Sequence, residues 1–346
     1  MSMKIRLISK LKQLDAIKES WRDLFISSGR SVFQSFEFNY YSWFTELSKN
    51  RLNTLCIVLL EDQVVFAILP FYIDSSKRLR FINDNHSDFC DVLSNELFDI
   101  EDVLVTVNNK TKFDSVHFIN LKEESFLYAL YKNKIVKNSV VKPFEQYSEL
   151  FVPADSFPDN ILHYKSKQKT TFRRIKKRNS NHSYNLLLKE KSAFPIHEIF
   201  QLKNRMIHLG LRKSDFLDRD RLSFLEELYN SDRMLVSIVK NNDNVRAISF
   251  ILKNNNTYLF WIDMYDNTKM INIYNYILFI ESISSQDNVE INFGRGVYDY
   301  KMVNFKPDVK PLFAVYIFRH RLHRVSFLVI NKLKVILKLI YKKIKG

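Results

Sequence analysis

Residues 289–301 read VEINFGRGVYDYK, and this stretch decides how the second half of the chain is interpreted. Alternating apolar residues up to Phe293 predict a strand. Gly294 and Gly296 follow directly and allow the tight backbone of a turn. The residues from Tyr298 onward then predict a short helix. The stretch is therefore expected to run from strand through glycine turn to helix.

Glycine is scarce elsewhere, which argues against several classes of protein. The 346 residues include five glycines, whereas average usage of about 7% would give roughly 24. Neither GxxxxGK[ST] nor GxGxxG occurs. Such phosphate cradles need glycine where the backbone has positive φ or touches a ligand. A P-loop NTPase, a protein kinase and a standard dinucleotide-binding domain are therefore not expected.

The residues around 289–301 predict an α+β fold in two similar halves. Residues 184–318 show the order strand, two helices, three strands, helix, strand, helix, strand. Residues 1–154 again place helices before a run of strands, followed by helix and strand. Hairpins connect several of the strands, which distinguishes this pattern from a βαβ alternation. The predicted division is a domain at 1–154, a basic helical connector at 155–183, a second domain at 184–318 and a basic amphipathic helix at 319–346.

Two short segments account for the net charge of +15. Residues 165–178 hold eight Lys or Arg, and residues 319–346 hold nine, with no acid in either. The other 36 basic residues stand against 38 acidic ones, so the rest of the chain has a net charge of −2. The segment at 165–178 predicts either a solvated linker helix or an arm that contacts anions.

The segment at 319–346 predicts a helix with one basic and one apolar face. The two faces are Lys334, Lys338, Lys342 and Lys345 on one side, and Leu333, Ile336, Leu337, Ile340 and Ile344 on the other. Such a helix suits an anionic membrane surface, where each lysine contributes about 1 kcal/mol. It equally suits a helix docked on its own domain with the lysines in solvent. Nucleic acid is a weaker third interpretation, because no recognised binding motif accompanies the charge.

The remaining features predict a cytoplasmic protein, with peripheral attachment to the inner face of the membrane as the alternative. The N-terminal residues lack the apolar core of a signal peptide. Cys56 and Cys90 lie in apolar stretches without metal-ligand spacing. His320 and His323 lie in a basic run without an acidic partner, so no metal site is predicted.

Several short motifs, in their order along the chain, resemble GNAT-type acyltransferases. They are Val32-Phe33-Gln34-Ser35 before an aromatic helix, Val65–Pro70, Ser87-Asp88-Phe89 before Asp91, the basic helix Thr170–Arg178, Arg205 with Gly210, and Phe293–Gly296 with Tyr300-Lys301. The succession is similar to the CelD-like branch of bacterial polysaccharide biosynthesis, and more distantly to Fem-type aminoacyl transferases, which pair two GNAT-like domains. The resemblance covers roughly residues 20–318.

The resemblance implies tandem GNAT-like domains and transfer of an acyl group. The implied donor is acetyl-CoA or another acyl-CoA, and the implied acceptor is an amine or hydroxyl of a sugar or sugar-nucleotide. Such a reaction needs an oriented nucleophile, a group that removes a proton and a group that stabilises an oxyanion.

The family's glycine, tyrosine and lysine motif falls on Gly294, Gly296, Tyr300 and Lys301. Gly294, Arg295 and Gly296 are expected to form an anion-binding turn for the donor. Lys301 is expected to pair with a phosphate of donor or substrate, and Tyr300 to donate a hydrogen bond to the oxyanion or the leaving thiolate. The alternative is a plain strand-to-helix turn with the lysine at the surface.

Four further residues are candidates for the site, each with a structural alternative. Asp263 lies in an apolar strand, where burial would raise its pKa and suit a general base. Arg205 and His208 share one helix face and are expected to bind substrate; a surface salt bridge and a structural histidine are the alternatives. Asp88, in the first half, is a candidate substrate contact.

One segment departs from the family pattern. The Arg/Gln-x-x-Gly-x-Gly/Ala loop that binds CoA should fall on residues 266–274, DNTKMINIY, which contain no glycine. Asn267 and Asn272 can take the left-handed conformation in its place, so both are candidate donor-binding residues. Two other functions therefore stay open. One is a Fem-like transferase whose donor, an aminoacyl-tRNA, contacts residues 165–178, and the other is a non-catalytic scaffold docked on the membrane through residues 319–346.

Overall fold

Strands and helices follow one another along the chain largely as the apolar periodicity predicts. The computed structural model describes residues 3–29, 31–47, 53–132, 138–161 and 164–345; the side chains of residues 46–47, 53–54, 331, 334–336 and 338–345 are not described. The strands are β1 Lys4–Ile8, β2 Asn53–Glu61, β3 Val64–Ile73, β4 Arg78–Phe81, β5 Leu93–Ser94, β6 Ser115–Leu121, β7 Ser139–Val152, β8 Ser183–Leu187, β9 Met234–Asn241, β10 Asn244–Asn254, β11 Thr257–Tyr265, β12 Val289–Arg295 and β13 Asp308–Phe318. The helices are α1 Leu11–Asp15, α2 Lys18–Ser28, α3 Phe36–Ser42, α4 Ile100–Thr111, α5 Phe126–Lys132, α6 Ser166–Arg178, α7 Ile196–His208, α8 Arg219–Asn230, α9 Ile271–Ile283, α10 Asp299–Phe305 and α11 Arg321–Lys345.

The residues form two compact units that do not coincide with the two halves of the sequence. The first unit comprises Met1–Ser28, Asn50–Phe144 and Leu312–Gly346, and the second comprises Gly29–Lys49 and Glu145–Pro311. The predicted boundaries at 154 and 184 follow chain order. The units instead follow packing, which places the short segment with α3 in the second unit and most of β13 in the first.

The second unit contains a mixed sheet in the order β7-β12-β11-β10-β9-β8, to which β7 contributes its later residues. Antiparallel pairing joins β8 through β11, and a short parallel stretch joins β11 to β12. The strand beside β12 is β7, which precedes α6 in the chain, and β7 pairs with β12 in antiparallel fashion. The apolar helix α9 packs against this sheet in the core of the unit.

The basic helix α6 belongs to the packed structure of the second unit. Phe172 and Ile175 are buried in its core. Lys176 forms an ion pair of 2.9 Å with Glu281 of α9, and Arg173 forms one of 2.9 Å with Asp159. The segment is thus a docked helix with one solvated basic face.

The first unit contains the sheet order β1-β2-β3-β4-β6-β13, with the first residues of β7 beyond β13. Its β4 and β6 are parallel over three residue pairs. Phe327 of α11 packs on Tyr316 and Phe318 of β13, with ring centroids 4.6 and 5.1 Å away. Among the described residues, none of the helices has the length and apolar character that a bilayer crossing requires.

Candidate active site

A β-bulge in β11 directs Asp263 toward helix α9. Phe250 of β10 pairs with Ile262 and Ile251 pairs with Phe260, so Trp261 is an extra residue in the strand. Since side chains alternate along a strand, one inserted residue moves all later side chains to the opposite face. Phe260, before the bulge, stacks on Tyr276 of α9 at 3.9 Å. After the bulge it is Asp263, rather than Ile262, that shares this face.

Strands β11 and β12 separate next to Asp263. Their parallel pairing runs from Thr257 and Glu290 to Leu259 and Asn292 and then ends. Beyond that point β12 continues beside β7, with a second bulge between Asn292 and Arg295. In open sheets, ligands bind outside the carboxyl ends of parallel strands. In this unit that position is the point where the β11–β12 pairing ends.

The Asp263 carboxylate accepts hydrogen bonds from two directions. The hydroxyl of Ser249, its partner on β10, donates to Oδ1 over 2.6 Å. The hydroxyl of Tyr276 donates to Oδ2. Nδ2 of Asn275 donates in turn to the Ser249 hydroxyl over 3.0 Å. Because Ser249 has a single proton and receives the Asn275 bond on its oxygen, that proton points to Asp263.

Burial raises the pKa of the Asp263 carboxyl above its ordinary value, against the hydrogen bonds from Ser249 and Tyr276. The nearby positive charges of Lys301 and Arg212 also act to lower it. A carboxyl with a raised pKa is a better proton acceptor than an ordinary aspartate, and this is the property required of a general base.

Two tyrosines extend this cluster toward the end of β12. The hydroxyl of Tyr300 lies near that of Tyr276, which donates to Asp263. Burial raises the pKa of both phenols, and the nearby Asp263 charge adds to the effect. Both hydroxyls therefore stay protonated near neutral pH, and the three groups follow one another as a chain of protonatable oxygens.

Lys301 lies beside this chain as a buried cation. Its Nζ donates to the backbone carbonyl of Phe293, just past the point where β12 leaves β11. The ammonium also lies 4.9 Å from the centroid of the Tyr298 ring. The alternative of a surface lysine is therefore wrong, since the side chain is almost wholly buried.

The two glycines of the turn have the backbone that the sequence predicts. Gly294 has φ of 73° and lies in the β12 bulge, and its N–H donates to the Asn292 side chain over 2.8 Å. Gly296 has φ of 84°, and a Cβ there would lie 2.8 Å from the Tyr298 ring. Arg295 lies between them, with its guanidinium 4.0 Å from Glu145. The turn thus lets Tyr298 cover Lys301.

Arg205 forms a salt bridge, which was the alternative to substrate binding. It donates to the Val245 carbonyl over 2.8 Å and to the Asn244 side chain over 2.9 Å, and lies 3.4 Å from the Asp266 carboxylate. Arg246 contacts the same carboxylate at 2.8 Å. The guanidinium thus fastens α7 to the end of β11. His208 lies exposed at the last position of α7, apart from Asp263 and its hydrogen-bond partners.

In the segment at 266–274, the residue with a left-handed backbone is neither Asn267 nor Asn272. Met270 has φ of 61°, directly before α9, while Asn267 lies in the preceding turn and Asn272 within the first turn of the helix. The expected left-handed conformation of the asparagines is therefore wrong. Asp266 explains the local geometry, because its Oδ1 accepts the Thr268 N–H over 2.9 Å and so bends the chain into the helix.

Asp88 lies in the first unit, in a loop that lies at the carboxyl end of the parallel strands β4 and β6. The segment at 82–92 follows β4, and Asn120 of β6 has φ of 61°. Its Nδ2 donates to the carbonyls of Asp84 and Ser87 over 3.0 and 2.9 Å, and its carbonyl accepts from the Cys90 N–H over 3.0 Å. The chain itself therefore occupies the carboxyl end of the parallel pair of this unit. Asp88 is buried in this loop, in a different unit from Asp263.

Three residues of the cluster were not foreseen from the sequence: Ser249, Asn275 and Tyr276. One signal was available, because Asn275 interrupts the apolar helix INIYNYILFI and is wholly buried. A buried amide in such a helix needs a polar partner. Ser249 carried no such signal, since an isolated serine in a strand is common.

Solved structures share this fold at low sequence identity. The structure of L-PGS from Bacillus licheniformis has a TM-score of 0.60 and 14% identity, over 93% of this chain and 96% of that one. The DUF2156 C-terminal domain of an Agrobacterium fabrum protein, described as a putative lysylphosphatidylglycerol synthetase, has a TM-score of 0.61 and 9% identity, over 91% and 95%. FemX has a TM-score of 0.55 and 11% identity, over 94% and 99%.

These likenesses establish the fold. The predicted α+β fold is confirmed, since L-PGS and FemX share it, and the GNAT-type and CelD-like resemblances stay predictions. No protein-family model matches the chain, and no curated protein matches it by sequence.

Proposed function

We propose that the protein is an acyltransferase whose reaction takes place where β11 and β12 separate. One observation carries this proposal: a carboxylate, two phenols and an ammonium lie together there, on Asp263, Tyr276, Tyr300 and Lys301. Acyl transfer requires an acceptor for the nucleophile's proton and a group that stabilises the oxyanion. The cluster holds both kinds of group within one unit.

In this proposal Asp263 is the base and acts through the two tyrosines. The acceptor's nitrogen or oxygen attacks the acyl carbonyl carbon, and its proton passes to Tyr300. Tyr300 gives its own proton to Tyr276, and Tyr276 gives its proton to Asp263. When the tetrahedral intermediate collapses, the bond to the donor's sulfur or oxygen breaks. The leaving group then takes a proton back along the same chain, so no proton is gained or lost by the protein.

Lys301 supplies the positive charge in this scheme. An ammonium has three N–H donors, and the Phe293 carbonyl holds it through one of them. A cation fixed in this way can stabilise an oxyanion or a donor phosphate without reorganising during the reaction. The buried position strengthens that interaction, because screening by water is reduced.

The donor and acceptor that we propose are an acyl-CoA, acetyl-CoA first, and an amine or hydroxyl of a sugar or sugar-nucleotide. The motif succession that resembles the CelD-like branch supports this choice, with surface polysaccharide as the final product. We further propose that the reaction takes place in the cytoplasm, next to the inner face of the membrane.

One observation favours a second donor, an aminoacyl-tRNA. Helix α6 presents a row of exposed cations at Lys167, Arg174, Lys177 and Arg178. Such a row suits a phosphate backbone, and its affinity would fall steeply with salt. FemX, which shares the fold, belongs by name to the Fem-type proteins that this alternative resembles.

Isothermal titration of the purified chain with acetyl-CoA and with tRNA at low salt tests these proposals. We expect acetyl-CoA to bind and Lys301→Ala to weaken it, with Lys189→Ala, an exposed lysine of the same unit, as the matched control. Binding of tRNA alone, lost on charge reversal at Arg174 and Lys177, would instead support the second donor. Failure of both ligands to bind would contradict the acyltransferase proposal.

A further inference from the structure

The apolar side of helix α11 is exposed along the part of the helix whose side chains are described. Leu322 is 77% exposed, Val325 46%, Val329 50% and Leu333 53%. These four residues, the α11 stripe, follow one another at intervals of three, four and four, so they lie along one side of the helix. An apolar row of this kind on a protein surface marks a place where something else binds.

The first unit holds α11 by the opposite side of the helix. Phe327 packs on Tyr316 and Phe318, and its ring centroid lies 6.3 Å from that of His117. Successive helical residues are rotated by about 100°, so Val325 and Val329 each lie about 160° around the helix from Phe327. Docking through Phe327 therefore turns the α11 stripe away from its own unit.

The charge of this segment selects the kind of surface that can cover the stripe. Residues 319–346 contain nine Lys or Arg and no acidic residue. A protein groove would need a matching row of carboxylates, whereas an anionic bilayer offers negative headgroups above an apolar layer everywhere on its surface. A helix with an apolar row and many cations is the form that lies in that interface.

We propose that the α11 stripe inserts into the headgroup region of an anionic lipid bilayer, with α11 lying along the membrane surface. Phe327 keeps the helix attached to the first unit while the stripe contacts lipid. The positive charge of the segment attracts the anionic headgroups. This inference stands apart from acyl transfer and holds whatever the donor is.

Vesicle flotation of the full chain tests the proposal. The probe is a vesicle of phosphatidylglycerol and phosphatidylcholine, compared with one of phosphatidylcholine alone. The variant replaces Leu322, Val325 and Val329 by Gln. The matched control replaces three exposed apolar residues elsewhere in the same unit, Ile26, Leu97 and Val105, by Gln. All six side chains are exposed, so both variants are expected to fold.

We expect the wild-type chain and the control to float with anionic vesicles, less so at high salt, and the α11 variant to bind about tenfold more weakly or worse. Equal flotation of the α11 variant and the wild type would overturn the proposal. Equal binding to both vesicle types, or no binding to either, would also overturn it. A dimer in sedimentation that the three substitutions dissociate would show that a second copy covers the stripe instead.

Discussion

The Ser249 hydroxyl donates a 2.6 Å hydrogen bond to Oδ1 of Asp263, and the two residues are direct partners on β10 and β11. Asn275 determines the direction of this bond by donating to the serine oxygen. Asp263 therefore receives hydrogen bonds on both oxygens, from Ser249 and from Tyr276. Tyr276, one of these two donors, lies near Tyr300, and this is why the proposed proton path runs through tyrosines.

Removing the Tyr276 hydroxyl should interrupt this path with little change in packing. Tyr276→Phe keeps the ring that stacks on Phe260, so we expect the fold to persist. General acid–base catalysis contributes about 10²- to 10⁴-fold, and kcat for transfer of labelled acetyl groups should fall within that range. Tyr229→Phe, which removes a hydroxyl bound to the Ser192 carbonyl, serves as the control. A normal kcat for Tyr276→Phe, with Asp263→Asn inactive, would rule out the tyrosine path while keeping Asp263 as the base.

The pH dependence of activity should change when the hydrogen bond from Ser249 to Asp263 is removed. Asp263 must be ionised to accept a proton, so activity rises with pH through its raised pKa. The Ser249 bond stabilises the ionised carboxylate and lowers that pKa. Ser249→Ala should therefore move the acidic limb of the kcat profile to higher pH. A shift to lower pH, or none, would count against Asp263 as the titrating group.

Asp263→Asn should change how stability depends on pH. Because burial raises the pKa of Asp263 in the folded state, the folded protein binds its proton more tightly than the unfolded chain does. The wild type therefore loses stability as pH rises from the ordinary aspartate pKa through the raised one. The variant lacks this loss, so its stability relative to the wild type should increase across that window. Urea unfolding at a series of pH values measures the difference, and a constant difference would be inconsistent with the raised pKa.

Gly296→Ala should affect both stability and the site. Its φ of 84° costs an L-residue about 1–2 kcal/mol, and the new Cβ would displace the Tyr298 ring from Lys301. Gly210→Ala is the matched control, because its φ is 69° and a Cβ added there would have no atom within 4 Å. We expect both variants to lose unfolding free energy, Gly296→Ala the more because its Cβ also meets the Tyr298 ring, and we expect weaker acetyl-CoA binding in Gly296→Ala alone. Equal binding by both would show that the position of Tyr298 is unimportant for the donor.

Arg205→Gln should act on stability rather than on substrate affinity. The guanidinium binds Asp266, Val245 and Asn244, and a hydrogen bond to a charged group is worth about 1.5–3 kcal/mol. Because Arg246 still pairs with Asp266, we expect a loss of about 1–2 kcal/mol in urea unfolding, with KM unchanged. A raised KM at unchanged stability would instead support the substrate-binding role predicted from the sequence.

Local patterns were enough to predict most elements of this fold. The bounds of β3 and α8 are those that apolar periodicity indicates, and the glycines at 294 and 296 have the positive φ expected of them. Tyr300 and Lys301 were predicted from the motif that follows the turn. Strand β7 was missed, because Pro143 and several polar residues interrupt its alternation. Residues 89–92 are mostly apolar but form a loop, because Asp91 caps α5 by accepting the N–H groups of Phe126 and Leu127.

The arrangement of the candidate site depends on contacts that no local pattern specifies. If side chains alternated strictly along β11, Asp263 would share a face with Trp261. Trp261 packs on Phe38 and Phe224. The bulge at Trp261 reverses this and directs the carboxylate to Tyr276. Residue types and their spacing determined which groups were present and where the chain could turn. Only tertiary packing decided which of them meet, because the bulge depends on the pairing of β10 with β11, and strand pairing is set by the whole sheet.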